Sequence, residues 1–406
     1  MRRLLALTCG LAGVPAVAAP VDFEVGATIR LRGESLSGRP FGTPGPGDDT
    51  YVLGRSLLNA EARQGDVWTA KIELGWHEQV GRTGGPGPTD KGAPDVRQAW
   101  VELGIVDGVR VRAGRQEFAL GGSRLVSVRD GPNLRRVFDG ALATATQGAW
   151  RGQAFVLRPV DDRRGWLDDR TDDGQLLTGA YLTRQGKATG VDLYYLYLDR
   201  DAGRFGAVTA SERRHSVGVR WFGRQGAVDH DFEAVAQRGR FGQGRIAAWT
   251  LASDTGVTRG RVRFGLKANI TSGDRDPSDT TLGTFNPLFP NLTYFNDAAL
   301  LAPQNHIDLH PSLTVTLAPG LQAFAGVDWF WKTRRADDVY RGPGLPVGAA
   351  GGSRAVGRQS ELNLRWRPGA SVEVRLSYVR FDIGPALRAI GGTDTDFGMI
   401  SFQSRW

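Results

Sequence analysis

The chain has 406 residues and a formal net charge of +8, and its positive charge comes almost entirely from arginine. It contains 56 glycines, 11 tryptophans and a single cysteine, Cys9, so an internal disulfide framework is excluded. The arginines stand singly within alternating segments, which argues against nucleic-acid binding. They are explained either by an electropositive surface or lumen, or by a genome-wide arginine bias.

The N-terminal segment has the features of a secretory signal. Two arginines precede an apolar stretch over residues 4–17, and small residues support cleavage after Ala18. We therefore predict a signal peptide at 1–18 and a single mature domain at 19–406, which carries no cysteine. No later apolar run reaches about 18 residues, so no transmembrane helix is predicted.

Segments in which apolar and polar residues alternate recur along the whole mature chain, separated by clusters of Gly, Pro, Asp and Asn. An even number of such segments is typical of an outer-membrane barrel with both ends on the periplasmic side. The fold class predicted is all-β, a transmembrane antiparallel β-barrel of about 18 strands in the bacterial outer membrane. The predicted strands are 22–34, 52–64, 66–78, 95–104, 108–117, 136–147, 149–159, 175–185, 187–198, 211–222, 226–238, 243–252, 258–271, 304–317, 320–334, 356–367, 370–381 and 395–406.

The connections differ in length in the way that barrels require, with short periplasmic turns and long extracellular loops. Tight turns are predicted at 64–66, 185–186, 319–320 and 368–369, and long loops at 35–51, 79–94, 272–303 and 335–355. The segment 118–135 is long, although by strand parity we expect it on the periplasmic side. We interpret it as folding into the lumen.

The last predicted strand carries Ile400, Phe402 and Trp406 on one face, and Gln403 and Arg405 on the other. In a barrel this strand pairs with the first strand to close the sheet, and its apolar face meets lipid. The pattern therefore favours a barrel over a soluble domain.

Alternation also assigns the cations that face the lumen. An arginine on the lipid face at the midplane costs ~2–4 kcal/mol, so charged positions are placed inside. Guanidinium groups hold carboxylates at two points, which favours an anion-binding track; the alternative is a solvated, salt-bridged wall. The cations assigned in this way are Arg30, Arg263, Lys267, Arg365 and Arg375.

Two stretches carry unusual motifs. The first, 114–142, contains Gly114-Arg115-Gln116, Arg124-Leu125 and Arg136-Val137-Phe138-Asp139-Gly140. The second contains Thr284-Phe285-Asn286-Pro287-Leu288-Phe289-Pro290, Trp329-Phe330-Trp331 and Asp338-x-Tyr340. In these motifs and their spacing the chain resembles the alginate-export family of outer-membrane proteins over nearly its whole mature length.

The resemblance implies an 18-stranded monomeric barrel with an arginine-rich constriction, which in the family's namesake passes an anionic polyuronate outward. It further implies that Arg115, Arg124 and Arg136 line or brace the constriction and that Asp139 pairs with an arginine. The alternative is that this segment is only a structural staple. The run 284–290 is interpreted as an ordered loop over the mouth or as plain loop packing.

Motifs for catalysis and for metal binding are weak. His306, Asp308 and His310 share one strand face, but alternate residues lie about 7 Å apart and do not converge on an ion. No nucleophile elbow or phosphate loop is present. We therefore predict no cofactor, no metal and no enzymatic activity.

The function predicted is an outer-membrane channel for anionic solutes, either a carboxylated polysaccharide such as an alginate-like polyuronate or organic acids. The alternative is a general diffusion porin without a substrate site; a barrel enzyme and a plugged surface scaffold are less favoured. The predicted partners are outer-membrane lipid and lipopolysaccharide, the anionic solute and, for an exporter, a periplasmic scaffold. Substrate identity and transport direction are left open.

Overall fold

A computed structural model describes residues 20–42 and 47–406; the predicted signal peptide lies outside the described residues. Eighteen long strands form one sheet. They are β1 Asp22–Ser37, β2 Asp49–Gln64, β3 Trp68–Val80, β4 Gly92–Val106, β5 Val109–Gln116, β6 Phe138–Gln147, β7 Trp150–Asp161, β8 Gln175–Gln185, β9 Thr189–Phe205, β10 Val208–Gln225, β11 Val228–Phe241, β12 Gly244–Arg259, β13 Val262–Thr271, β14 His306–Ala318, β15 Leu321–Lys332, β16 Ala355–Trp366, β17 Val372–Ile383 and β18 Thr395–Arg405.

The sheet closes on itself. Each strand pairs with the next in antiparallel fashion, and β18 pairs with β1 over ten residue pairs that include Leu31 with Phe402. Closure leaves no sheet edge exposed, which a lipid environment demands. The predicted barrel and its count of 18 strands are confirmed.

Side-chain burial alternates along the strands as predicted. On β1, Leu31 is 53% exposed on the outer wall, whereas Arg30 is 4% exposed inside. On β13 and β15, Phe264 is 57% exposed and Lys332 is fully buried. At these positions the outer wall is therefore apolar, and the charges face the lumen.

The two barrel ends differ in loop length. Tight turns such as 65–67 and 319–320 lie at the end that holds the start of β1, and the loops 81–91, 272–305 and 333–354 lie at the other. Counting from β1, the segment after β5 belongs to the long-loop end. The prediction that the segment 118–135 lies on the periplasmic side was therefore wrong, because odd-numbered strands run towards the extracellular end.

Two connections at the extracellular end are very short. β9 joins β10 through residues 206–207, and β11 joins β12 through 242–243. Gly206 and Gly242 have φ of 59° and 54°, a conformation that glycine adopts without steric cost. The hairpins β9–β10 and β11–β12 therefore end in tight turns on the extracellular side.

Helix contributes little. The described residues contain the α-helix Pro385–Arg388 and the 3₁₀ turn Leu292–Tyr294. No helix among them is long and apolar enough to cross a membrane.

Two long loops fold into the lumen. We name residues 117–137 loop A and residues 272–305 loop B. Their apolar side chains, with those of the facing strands, form a buried cluster inside the barrel. Members include Phe118, Val126, Phe138, Phe285 and Phe289. Loop A thus folds inward as predicted, and the run 284–290 is seated inside the mouth.

Candidate functional site: the lumenal constriction

Loops A and B meet inside the lumen. The backbone N–H of Ser127 donates to the carbonyl of Phe289 at 3.0 Å, and the N–H of Phe289 donates to the carbonyl of Leu125 at 2.8 Å. Val126 and Phe289 form an isolated parallel β-bridge. The two loops are thereby joined by backbone hydrogen bonds, and together they narrow the lumen.

The far end of loop A is held by arginines of β1 and β2. Arg30 donates to the carbonyls of Asp130 at 2.8 Å and Pro132 at 2.9 Å, and Arg55 donates to the Asp130 carboxylate at 2.8 Å. Burial alone raises the pKa of Asp130, but the charges of Arg55 and Arg30 lower it to about 2. The predicted lumenal Arg30 is therefore a bracket for loop A.

Arg124 joins loop A to the opposite wall. Its Nη1 lies 3.0 Å from the carboxylates of Asp231 and Glu233 on β11, and its Nε donates to the Tyr294 hydroxyl of loop B at 3.1 Å. Its side chain is 13% exposed. One guanidinium thus connects loop A, loop B and the barrel wall.

Arg115 and Asp139 form a two-point pair at the base of loop A. Nε and Nη2 of Arg115 donate to the two carboxylate oxygens at 2.9 and 3.1 Å, and the Thr171 hydroxyl donates to Asp139 at 2.7 Å. The two residues lie opposite each other on β5 and β6. Asp139 therefore pairs with an arginine, as expected, and the pair fixes where loop A leaves the wall.

Loop B is held in a similar way. Lys267 on β13 donates to the Tyr294 carbonyl at 3.0 Å, and Arg375 on β17 donates to both oxygens of Asp297 at 2.8 Å. These contacts lie on strands that are separated by β14–β16, so loop B spans part of the lumen. Lys267 and Arg375, predicted to line the pore, also hold a loop.

Arg263 and Arg365 have different surroundings. Arg263 contacts Asp229 at 2.6 Å and Asp254 at 3.0 Å, so its charge is matched within the wall. Arg365 donates to the side-chain oxygen of Gln322 at 2.6 Å and has no carboxylate partner among the described residues. That any of the nine predicted residues binds solute stays a prediction.

Arg129 and Arg136 of loop A are not neutralised by a bonded carboxylate. Arg136 donates only to the carbonyls of Ser127 at 3.3 Å and Pro290 at 3.5 Å. The guanidinium of Arg129 has no hydrogen bond or ion pair within the described part of the chain. Asp162 acts electrostatically on both, but it is bound to Arg97 at 2.9 Å.

The burial of these two arginines disfavours their charged form. Burial lowers the pKa of Arg129, and burial together with the charge of Arg129 lowers the pKa of Arg136 well below its usual range. A cation desolvated without a counter-charge is stabilised by any anion that reaches it. The meeting point of loops A and B is therefore suited to an anion.

Sequence reasoning selected Arg136 but missed Arg129 and the anchors Arg55, Asp231 and Glu233. Arg129 stands in the same loop between two arginines that were selected, so the density of arginine was an available signal. The carboxylates of β11 carried no such signal, because their partner Arg124 is over 100 positions away in the chain.

The histidines do not assemble a metal site. The Nε2 of His306 lies 2.8 Å from Asp308, whereas His310 lies between Asp328 at 3.4 Å and Glu361 at 3.3 Å. Elsewhere in the described residues, carboxylate oxygens of three aspartates come within 4.8 Å of one another, but one of them is paired with Arg97. These three are Asp95, Asp168 and Asp169.

The family model described as "Alginate export" matches residues 21–400, which is almost the whole described chain. No curated protein matches the sequence at a significant level.

Solved structures resemble the fold closely at low sequence identity. Acinetobacter baumannii OccAB4 superposes with a TM-score of 0.67 at 12% identity, covering 97% of this chain and 99% of that one. Pseudomonas aeruginosa OpdK, solved with vanillate, has a TM-score of 0.63 at 13% identity, covering 94% and 98%. P. aeruginosa OccK2 (OpdF) has a TM-score of 0.64 at 14% identity, covering 95% and 97%. The barrel and its size are thus shared with outer-membrane proteins of known structure.

Proposed function

Since the chain belongs to the alginate export family and is an outer-membrane β-barrel channel, we propose that it conducts anionic solutes, and small organic acids in particular, past the junction of loops A and B. The observation that carries the proposal is the pair Arg129 and Arg136. Both side chains are half-buried, and neither guanidinium group is bonded to a carboxylate among the described residues. A carboxylated solute supplies the missing charge.

Small acids are favoured over a polymer by the way the lumen is filled. Loops A and B are hydrogen-bonded to each other, and each is tied to the wall. A polyuronate needs a continuous wide path, whereas a single carboxylate passes a narrow one. OpdK, a barrel of similar fold, was solved with vanillate, an aromatic monocarboxylate.

The second candidate is an alginate-like polyuronate, which is favoured by the family match alone. It requires loops A and B to separate, and an exporter of this kind would act with a periplasmic scaffold. The third outcome is a general porin without charge preference.

The test is the reversal potential of the purified protein in a planar bilayer under a salt gradient. We expect anion selectivity in the parent and a clear loss in the double variant Arg129→Met, Arg136→Met. The control is the double variant Arg358→Met, Arg380→Met, which removes an equal charge from the outer wall, where both arginines are bonded to Asp382.

The solute class is tested on the same channel. Current block by benzoate-like acids without block by oligomannuronate supports the organic-acid function, and the reverse result supports the polymer. A parent channel without ion selectivity contradicts both and leaves the general porin.

A further inference from the structure

Arginines also cluster on the outside of the barrel, where the channel function has no use for them. On the wall formed by β10–β12, Arg213, Arg238, Arg240 and Arg245 point outwards and are exposed. Arg213 lies opposite Arg240, and Arg240 lies opposite Arg245, so three guanidinium groups form one row across three strands. Directly opposed side chains in a sheet start about 5 Å apart.

This cluster, which we call the outer arginine patch, is not charge-balanced. Its single ion pair joins Arg213 to Asp199 at 3.7 Å, and the Arg213 side chain remains 68% exposed. Arg240 and Arg245 have no side-chain hydrogen bond or ion pair in the described chain, and Arg238 donates only to the neighbouring carbonyl of Gln237. Four cations therefore face one carboxylate.

A second outward arginine cluster shows that this imbalance is particular to β10–β12. On β16–β18 and the adjoining loop, Arg358, Arg380 and Arg388 are bonded to three aspartates, with distances between 2.6 and 3.4 Å. The aspartates are Asp382, Asp394 and Asp396. Three cations face three anions there, so that cluster has no need of an external anion.

The height of the outer arginine patch identifies what it faces. Below Arg213 the outward residues of β10 are His215 and then the apolar Val217, Val219 and Trp221, and Trp221 stacks with Phe232 at 5.7 Å near the periplasmic end. Eight residues of tilted strand separate Trp221 from Arg213, a rise of about 20 Å, which is close to the height of the apolar band of such barrels. The arginines therefore lie near the level at which the hydrocarbon of the outer leaflet ends.

The surroundings fit a lipid headgroup. A shallow groove beside the patch is lined by Tyr195, Tyr197, Arg213, His215 and Arg240. Tyrosine is enriched at membrane interfaces because its ring is apolar and its hydroxyl polar. The connections at 206–207 and 242–243, at the extracellular ends of the strands that carry the groove, are short.

We propose that the outer arginine patch binds the phosphate groups of a phosphorylated, multiply acylated glycolipid of the outer leaflet, whose acyl chains lie against the apolar wall below. Arginine is suited to this because its planar fork contacts two phosphate oxygens at once. The inference is independent of which solute the channel carries.

The test measures binding of fluorescent bisphosphorylated lipid A to the purified barrel in detergent. We expect the triple variant Arg238→Gln, Arg240→Gln, Arg245→Gln to bind about tenfold more weakly, a change equivalent to about 1.4 kcal/mol. The triple variant Arg358→Gln, Arg380→Gln, Arg388→Gln removes equal charge from the balanced cluster, and parent-like binding is expected. Heat modifiability on gels checks that each variant is folded.

Two further probes separate the possible sources of the phosphate. Dephosphorylated lipid A is expected to bind weakly to the parent, and glucosamine bisphosphate without acyl chains is expected to compete poorly. Equal binding by the parent and the β11–β12 variant, or by phosphorylated and dephosphorylated lipid A, would overturn the proposal. Strong competition by the free sugar phosphate would assign the patch to soluble phosphate instead.

Discussion

Two groups of lumenal arginines lie within loop A and at its base, and they differ in how their charge is met. Arg115 and Arg124 are bonded to carboxylates at 2.9–3.1 Å, whereas Arg129 and Arg136 have none. The first group holds the loop against the wall, and the second bears a charge that the protein itself does not neutralise. Arginine in a barrel lumen is thus either part of the scaffold or available to solute, and bonding partners decide which.

The largest effect is expected when Arg124, which connects loop A, loop B and the barrel wall, is replaced. Arg124→Ala leaves Glu233 without its ion-pair partner and removes the tie to Tyr294, which we expect to cost about 3 kcal/mol. Thermal unfolding in detergent measures the loss, and larger single-channel conductance reports release of loop A. Arg63→Ala, at an exposed pair with Glu61, is the control and should change stability by less than about 0.5 kcal/mol. Unchanged stability and conductance for Arg124→Ala would show that it is no anchor.

Substitution in the second group, Arg129 and Arg136, is expected to change stability in the opposite direction. Arg129→Met removes a half-buried, unpaired charge while keeping an unbranched apolar side chain, so we expect stability to be unchanged or to rise by up to about 1 kcal/mol. The same thermal unfolding measurement applies. A loss comparable to that of Arg124→Ala would mean that Arg129 has a structural partner after all, and the contrast between the two groups would disappear.

Loop B contains a buried carboxyl group, that of Asp274, which predicts that stability depends on pH. Burial first, and the nearby charge of Asp337 next, raise the pKa of Asp274 to about 6. Between the ordinary carboxyl pKa near 4 and about 6, the unfolded state releases this proton and the folded state retains it, so stability falls as pH rises through that window.

Hydrogen exchange in residues 272–290, corrected for the intrinsic pH dependence, is therefore expected to be slower at pH 5 than at pH 7. Asp274→Asn should remove the difference. Equal protection at both pH values in the parent would show that Asp274 titrates normally.

The smallest effect is expected at Arg365, which belongs to neither group because its bonded partner is the neutral Gln322. Arg365→Ala should leave stability within about 0.5 kcal/mol, since one hydrogen bond at an exposed site is lost. Reversal potentials should show a smaller loss of anion selectivity than in Arg129→Met. An equal or larger loss would move the selective region from the loop junction to the barrel wall.

The barrel was predictable because its cause is local. Period-two alternation places residues such as Leu31 and Arg30 on opposite faces wherever the strand runs, and only the boundaries of strands shifted by a few residues. Loop A was recognised as unusual from its length and its motif, although its end of the barrel was assigned wrongly. The Arg115–Asp139 pair was within reach because its two residues are only 24 positions apart.

The partners of the remaining site residues could not be predicted from the sequence. Arg124 meets Glu233 at a separation of 109 positions, and Arg30 meets Asp130 at 100. Composition shows an excess of arginine, but it does not show which guanidinium groups find carboxylates. That Arg129 stays unpaired emerged only when every neighbour in space was known.

The amino-acid sequence by itself determined an outer-membrane barrel, its strand number, the inward placement of its charges and its family. The tertiary structure alone decided that loops A and B join inside the lumen, that most of the predicted pore arginines are anchors, and that four arginines on β10–β12 form one patch outside. The physical reason is the separation along the chain over which each effect acts. Alternation acts between adjacent residues and is written in the chain, whereas an ion pair needs two groups within about 4 Å, and barrel closure sets which distant strands and loops come that close.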